Sequence, residues 1–264
     1  MVEKLKNFIC KFYLLLITLF LHIPVLLLIV LSFNGSRNRT SWGGFSLKWY
    51  KKMFSSSQMM DAFSNTILIS FCAASIATVI GLLAALGISA MKNRGYGIML
   101  AATNIPMVNA DIVTGLALML WFIKFIPLGF TSVLLAHITF DIPYVVLSVL
   151  PRVKQMNVAV YEAARDLGAN GIYAFFKVVM PQLYGSILYG FFMALTISMD
   201  DFTVTYFTRG AGVNTLSTLI YGELKKGIVP EMYALSTLIF VVVFVILLIV
   251  NFGSVRKEKK AVAA

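Results

Sequence analysis

Charge is scarce in this sequence: 12% of its 264 residues are Asp, Glu, Lys or Arg, about half the share of a soluble domain. That shortage excludes an ordinary water-soluble globule, because 59% of the residues are hydrophobic and call for a bilayer. Cysteine is rarer still. Cys10 and Cys72 lie far apart, which excludes a disulfide framework or a cysteine metal site. The two histidines, His22 and His137, lack metal-ligand spacing and read as contacts within a helix bundle. No G-x-x-x-x-G-K-[S/T] phosphate loop occurs, so ATP hydrolysis is not expected of this chain. No Ser–His pair or H-E-x-x-H motif supports an intramembrane enzyme, and no cofactor or metal is called for.

Apolar runs dominate what remains, with a mean hydropathy of +0.88. Six of them, at 12–33, 64–90, 98–122, 129–150, 184–206 and 234–252, approach the roughly 20 residues that cross a bilayer as a helix. The sequence predicts an all-α integral membrane protein: a short N-terminus (1–11), one six-helix domain (12–252) and a basic tail (253–264). Lys4, Lys6 and Lys11 precede an apolar run too long for a signal peptide and without a small-residue cleavage pattern, so it reads as a retained first span. An even number of spans puts both termini on one side, and 13 of the 22 Lys/Arg fall there, which marks it as cytoplasmic. The net charge of +11 follows from that distribution and needs no nucleic acid. Arg37, Arg39, Lys48, Lys51 and Lys52 occupy the first outer loop, so the bias is moderate.

Ala73, Ala77, Gly81, Ala85 and Ser89 repeat at every fourth position of span two. Small residues let helices approach closely in lipid, where the usual hydrophobic drive is missing. The stripe is expected to pack inside the bundle, with contact to a partner subunit as the alternative.

Between spans four and five lies a polar island, 151–183. Helix formers run from about Gln155 to Leu167, Gly168 suits a C-terminal cap, and Asn170 suits the cap of a second short helix over 172–179. Pro181 suits the first turn of span five. Two short helices roughly at right angles are expected there. A docking element or a plain re-entry loop would both look this way.

Glu162-Ala163-Ala164, then Gly168, then Pro181 resembles the EAA loop of ABC importer permeases. Ser32-Phe33-Asn34, Trp42-Gly43-Gly44-Phe45, His137-Ile138-Thr139-Phe140 and Ser198-Met199-Asp200-Asp201-Phe202 narrow the resemblance to the PotC-type permeases of spermidine/putrescine importers. It covers nearly the whole chain. It implies a type I importer fold (MetI-like), a PotB-type sister permease, a dimer of ATP-binding subunits and an extracytoplasmic polyamine-binding protein. It also implies that Glu162, Ala163, Ala164, Gly168 and Pro181 couple to the ATPase.

The spans hold acids where acids are expensive: Asp111, Asp141, Asp200 and Asp201. A mid-bilayer carboxylate costs about 2.5–3.5 kcal/mol on insertion scales and is a functional candidate by default. No Lys or Arg stands at comparable depth, so a cationic substrate would supply the countercharge. A rise of ~1.5 Å per residue puts Asp111 roughly 20 Å, and Asp200 roughly 24 Å, from the cytoplasmic face. Adjacent helical residues point about 100° apart, so Asp200 and Asp201 cannot both face one path unless the helix is irregular. Pro106 and Asn109 predict a bend before Asp111, and Pro143 a looser turn near Asp141. Asp141 reads equally as a lower step for the cation or as a locally bonded structural residue.

Trp49 occupies a position that resembles a transport residue of the family, and Tyr13 and Tyr144 are further candidates for the path. Glu223, Lys225, Lys226 and Glu231 in the second outer loop are placed to meet a binding protein. The rival readings are an importer permease for another organic cation or an amino acid, and a self-contained secondary transporter. The latter predicts inverted repeats, and none is visible.

Overall fold

The computed structural model describes residues 2–38, 40–227 and 229–262. Arg39 lies outside the described residues, and the side chains of Lys4 and of the basic tail are likewise not described. The chain is built of helices: α1 Val2–Ser32, α2 Lys48–Ser55, α3 Ser57–Ser89, α4 Asn93–Val108, α5 Asp111–Phe122, α6 Phe130–Gln155, α7 Val158–Asp166, α8 Gly171–Ala174, a π-turn Phe175–Val179, α9 Met180–Asp200, α10 Thr203–Thr208, α11 Leu216–Lys226 and α12 Glu231–Val262.

Among the described residues four helices are long and apolar enough to cross a membrane, or five when α4 and α5 count as one broken span. The sixth expected span falls on α12, whose described apolar run is Glu231–Val245. The helices divide into two compact units, Met1–Met60 with Ile220–Ile249, and Asp61–Leu219 with Val250–Ala264.

The second unit is organised around α6, which packs on α9, α10, α4 and α5. Its crossing point is Val145. A Cβ on Gly81 of α3 would stand 2.7 Å from Val145 Cβ, and one on Gly190 of α9 would stand 3.3 Å from Val145 Cα. The predicted small-residue stripe does pack inside the unit: Ala73, Ala77, Gly81 and Ala85 are all buried, while Ser89 is half-buried and donates to the Leu86 carbonyl of its own helix at 2.7 Å. A hydrophobic cluster of Phe122, Ala136 and Val204 joins α5, α6 and α10. Gly115 permits that approach, because a Cβ there would lie 3.1 Å from the Phe207 ring and 3.3 Å from Val204 Cα.

The helix stays unbroken through Pro143, contrary to the expected loosening. Proline deletes one ladder bond, and close packing at Val145 from α3 and α9 holds the rest in place. At Asn109–Ala110 the expected bend is present and sharp: both residues are extended and α5 departs from α4 at 102°.

In the first unit α1 is apolar around its circumference from Phe12 onward, and most of its large side chains from Phe12 to Val30 are exposed, which suits contact with lipid. Asn34 organises the loop that follows. Its amide oxygen accepts from Gly43 N at 2.7 Å and Ser36 N at 3.1 Å, while its amide nitrogen donates to the Ser41 carbonyl at 2.9 Å. Phe33 stacks on Phe45 with centroids 5.1 Å apart. A Cβ on Gly43 would come within 2.6 Å of Ser36 N, so this tight return needs glycine. The Trp-Gly-Gly-Phe segment is therefore a clamped loop.

Candidate functional site

Two interruptions of helix, both in the second unit, carry three of the four intramembrane acids, Asp111, Asp200 and Asp201. Asp111 opens α5 directly after the break and is exposed. An acid in the first turn also suits the helix dipole. Asp200 is the last residue of α9 and is exposed. Asp201 is extended, and a new helix, α10, starts two residues later. The irregularity that lets the adjacent acids differ in environment is therefore present. α10 packs directly on α5, which puts the element behind Asp200 and Asp201 against the one that Asp111 begins.

The two neighbours do different work. The Asp201 carboxylate accepts from Thr205 N at 2.8 Å, Val204 N at 3.2 Å and the Thr205 hydroxyl at 2.8 Å, capping α10. Its backbone carbonyl accepts from Ser217 Oγ at 2.7 Å. His137 Nε2 stands 3.5 Å from Asp201 Oδ2 and 2.8 Å from Thr205 Oγ1, and Nδ1 lies 2.6 Å from Ser198 Oγ. The buried imidazole thus ties α6 to α9 and α10, as expected of a bundle contact. Asp201 faces protein; Asp200 faces open space.

Asp141 is fully buried on α6, and among the described residues neither of its carboxylate oxygens has a hydrogen-bond partner. Tyr144 lies one turn further along α6 and is half-buried.

Trp49 belongs to the other unit. It is 3% exposed, and its indole N–H donates to the Asn34 carbonyl at 2.6 Å, so it completes the clamped loop. Lys48 Nζ lies 5.0 Å from its ring centroid. Tyr13 is exposed on α1. Glu231 is buried and pairs with Lys52, while Glu223 pairs with Lys226 at 3.1 Å. Pairing leaves Glu231 no open face for a partner. Lys226 and Arg37 line a cavity of about 460 Å³.

The polar island adopts the predicted break. Asn157 caps α7 by accepting from Ala159 N at 3.0 Å. Gly168, at φ +89°, donates to the Arg165 carbonyl at 3.0 Å, and Ala169 N donates to the Ala164 carbonyl at 3.1 Å. These two bonds form a Schellman cap, which requires the left-handed conformation that glycine supplies. Asn170 caps α8 through Tyr173 N at 2.7 Å. Glu162 and Ala163 are exposed, Ala164 is half-buried, and Leu167, Ile172, Tyr173 and Phe176 present apolar surface. Pro181 stands in the first turn of α9, as expected, but the short helix before it does not end there. The π-turn before it carries one helical run from Gly171 to Asp200. At its end the Met180 N–H donates to the Phe175 carbonyl, the wider i→i+5 pairing of a π-turn.

Sequence reasoning missed three features: the Ser198–His137–Thr205 network, the break after Asp200, and buried oxygens without partners on Asn104 and Thr114. Asp201 four residues ahead of Thr205 was the one available signal for the cap.

Comparison with known proteins places these features in a family. The family described as "binding-protein-dependent transport system inner membrane component" matches residues 77–257. The spermidine/putrescine transport system permease protein PotC of Haemophilus influenzae is 33% identical over 237 residues, covering 89% of this chain and 92% of that protein. The putrescine transport system permease protein PotI of Escherichia coli is 33% identical over 254 residues, covering 92% and 89%. A solved bacterial ABC transporter involved in the import of the acidic polysaccharide alginate has the same fold, with a TM-score of 0.69, 19% identity, and coverage of 96% of this chain and 98% of that one.

Proposed function

This chain belongs to the family of binding-protein-dependent transport system inner membrane components, and on that premise we propose that it is a permease subunit whose cargo is a polyamine, spermidine or putrescine. An ABC importer permease lines a path and leaves ATP hydrolysis to a separate subunit. The fold does not decide the cargo, since an importer of an acidic polysaccharide shares it. The observation that carries the cargo is the exposure of Asp111 and Asp200 at two helix breaks within apolar spans. Broken backbone at membrane depth is tolerated where it lines a water-filled cavity. Exposed carboxylates there attract cations and repel anions, and the relatives with PotC and PotI names point the same way.

The working assembly pairs this chain with a PotB-type sister permease, a dimer of ATP-binding subunits and an extracytoplasmic polyamine-binding protein. Both termini lie in the cytoplasm in this reading. The α7 surface around Glu162, Ala163 and Ala164, with Gly168 and the start of the run through Pro181, docks on the ATPase. Its exposed Leu167, Ile172 and Tyr173 supply apolar area for a groove. The separate test is competition: uptake of labelled spermidine should fall with unlabelled putrescine or spermidine and not with neutral amino acids. Competition by amino acids alone would replace the polyamine reading with the amino-acid one.

A further inference from the structure

One imidazole reaches both sides of the break that sets Asp200 and Asp201 apart. His137 on α6 bonds Ser198 Oγ of α9 through Nδ1 at 2.6 Å and Thr205 Oγ1 of α10 through Nε2 at 2.8 Å. All three side chains are buried. Along a continuous helix Ser198 and Thr205 would stand about two turns apart. The order of donors in this network is fixed from its acceptor-only end. The Asp201 carboxylate accepts from the Thr205 hydroxyl at 2.8 Å. Thr205 Oγ1 therefore accepts from His137 Nε2–H, and Nδ1 is left to accept from the Ser198 hydroxyl. A hydrogen on Nδ1 instead would turn the Thr205 hydroxyl away from the carboxylate.

What such a clamp holds is register. Adjacent helical residues point about 100° apart, so a slip of one residue at the break would exchange the surroundings of Asp200 and Asp201. Asp200 is exposed at the end of α9, and the backbone on either side sets where its carboxylate points. The cap on α10 and the Ser217 bond to the Asp201 carbonyl fix the far side of the break. The His137 ring joins that side to the last turn of α9. We propose that His137 is a positioning residue of the transport path: by clamping Ser198 and Thr205 it holds the break in the register that turns Asp200 outward and Asp201 into the protein. At 1% exposure the imidazole touches no cargo itself and acts through Asp200. The inference rests on the reading of Asp200 as a path residue.

The test uses the whole complex reconstituted in proteoliposomes and reads labelled spermidine taken up per ATP hydrolysed. His137→Leu removes both bonds of the ring and should lower this ratio about tenfold, the weakening of one contact between the cargo and a charged group. Asp200→Asn should lower it by a like factor. The double variant should fall no further than Asp200→Asn alone, because both changes remove the same contact. If His137→Leu fails to assemble, Ser198→Ala, which releases α9 and leaves the Asp201 cap intact, carries the same comparison. An unchanged ratio, with uptake and ATP hydrolysis lost in step, is the mark of a purely structural contact and overturns the assignment of His137. So does a further tenfold fall, or about that, in the double variant. Wild-type uptake by Asp200→Asn overturns the path reading, and this inference with it.

Discussion

Asp200 and Asp201 are neighbours, yet replacing each should produce opposite phenotypes. The Asp201 side chain is 5% exposed and serves two backbone amides, one hydroxyl and an imidazole. Asp201→Ala removes a helix cap, worth about 1 kcal/mol. It also strips the buried Thr205 amide of its acceptor, at about 1–3 kcal/mol, while the Thr205 hydroxyl keeps His137 Nε2. The sum is of order 2–4 kcal/mol, against a total domain stability of about 5–15 kcal/mol. Asp200→Ala touches only an exposed side chain at a helix end, and should cost less than about 0.5 kcal/mol. Thermal unfolding of the detergent-solubilised complex measures the first effect, and ATP-driven spermidine uptake the second. Asp201→Ala should lower the melting temperature and the yield of assembled complex. Asp200→Ala should assemble normally and transport poorly. Equal loss of stability in the two variants would refute the division of labour between them.

Gly81→Val should destabilise by about 1–3 kcal/mol through overpacking against Val145, and Val145→Ala should recover part of that loss, as a double-mutant cycle on complex melting would record. Gly168→Val forces a branched side chain to φ +89° and should dissolve the cap of α7; stimulation of the ATPase by the binding protein should drop while basal ATPase activity is retained. Trp49→Phe deletes the indole bond to the Asn34 carbonyl and should lower stability by about 1–3 kcal/mol with little change in the spermidine concentration giving half-maximal uptake; a shift in that concentration alone would return Trp49 to the path.

How legible was this molecule in its sequence? Apolar length and small-residue spacing sufficed for α1, α3 and α6, because the bilayer imposes helix and the stripe at Gly81 leaves one face for packing. The bend before Asp111 was readable from Pro106 and Asn109, since proline removes a donor that lipid cannot replace. Pro143 gave the same signal and no break followed, because its effect depends on neighbours at Val145 that the sequence does not place. The fate of Asp201 was hidden for a related reason: whether a carboxylate meets a cargo or a backbone amide is decided by where α10 starts. The burial of Trp49 was hidden as well. An aromatic in a polar loop looks available, yet the Asn34 clamp buries it. The island around Glu162 was the clearest stretch, because caps at Asn157, Gly168 and Asn170 are local chemistry.

The central claim is that carboxylates at the breaks of these spans carry a polyamine through the permease. Its most direct test is ATP-driven uptake of labelled spermidine by proteoliposomes holding the complete complex, with Asp111→Asn compared against wild type at matched protein content. The account predicts at least a tenfold lower rate with the ATP-binding subunits still co-purifying; a rate equal to wild type would contradict it.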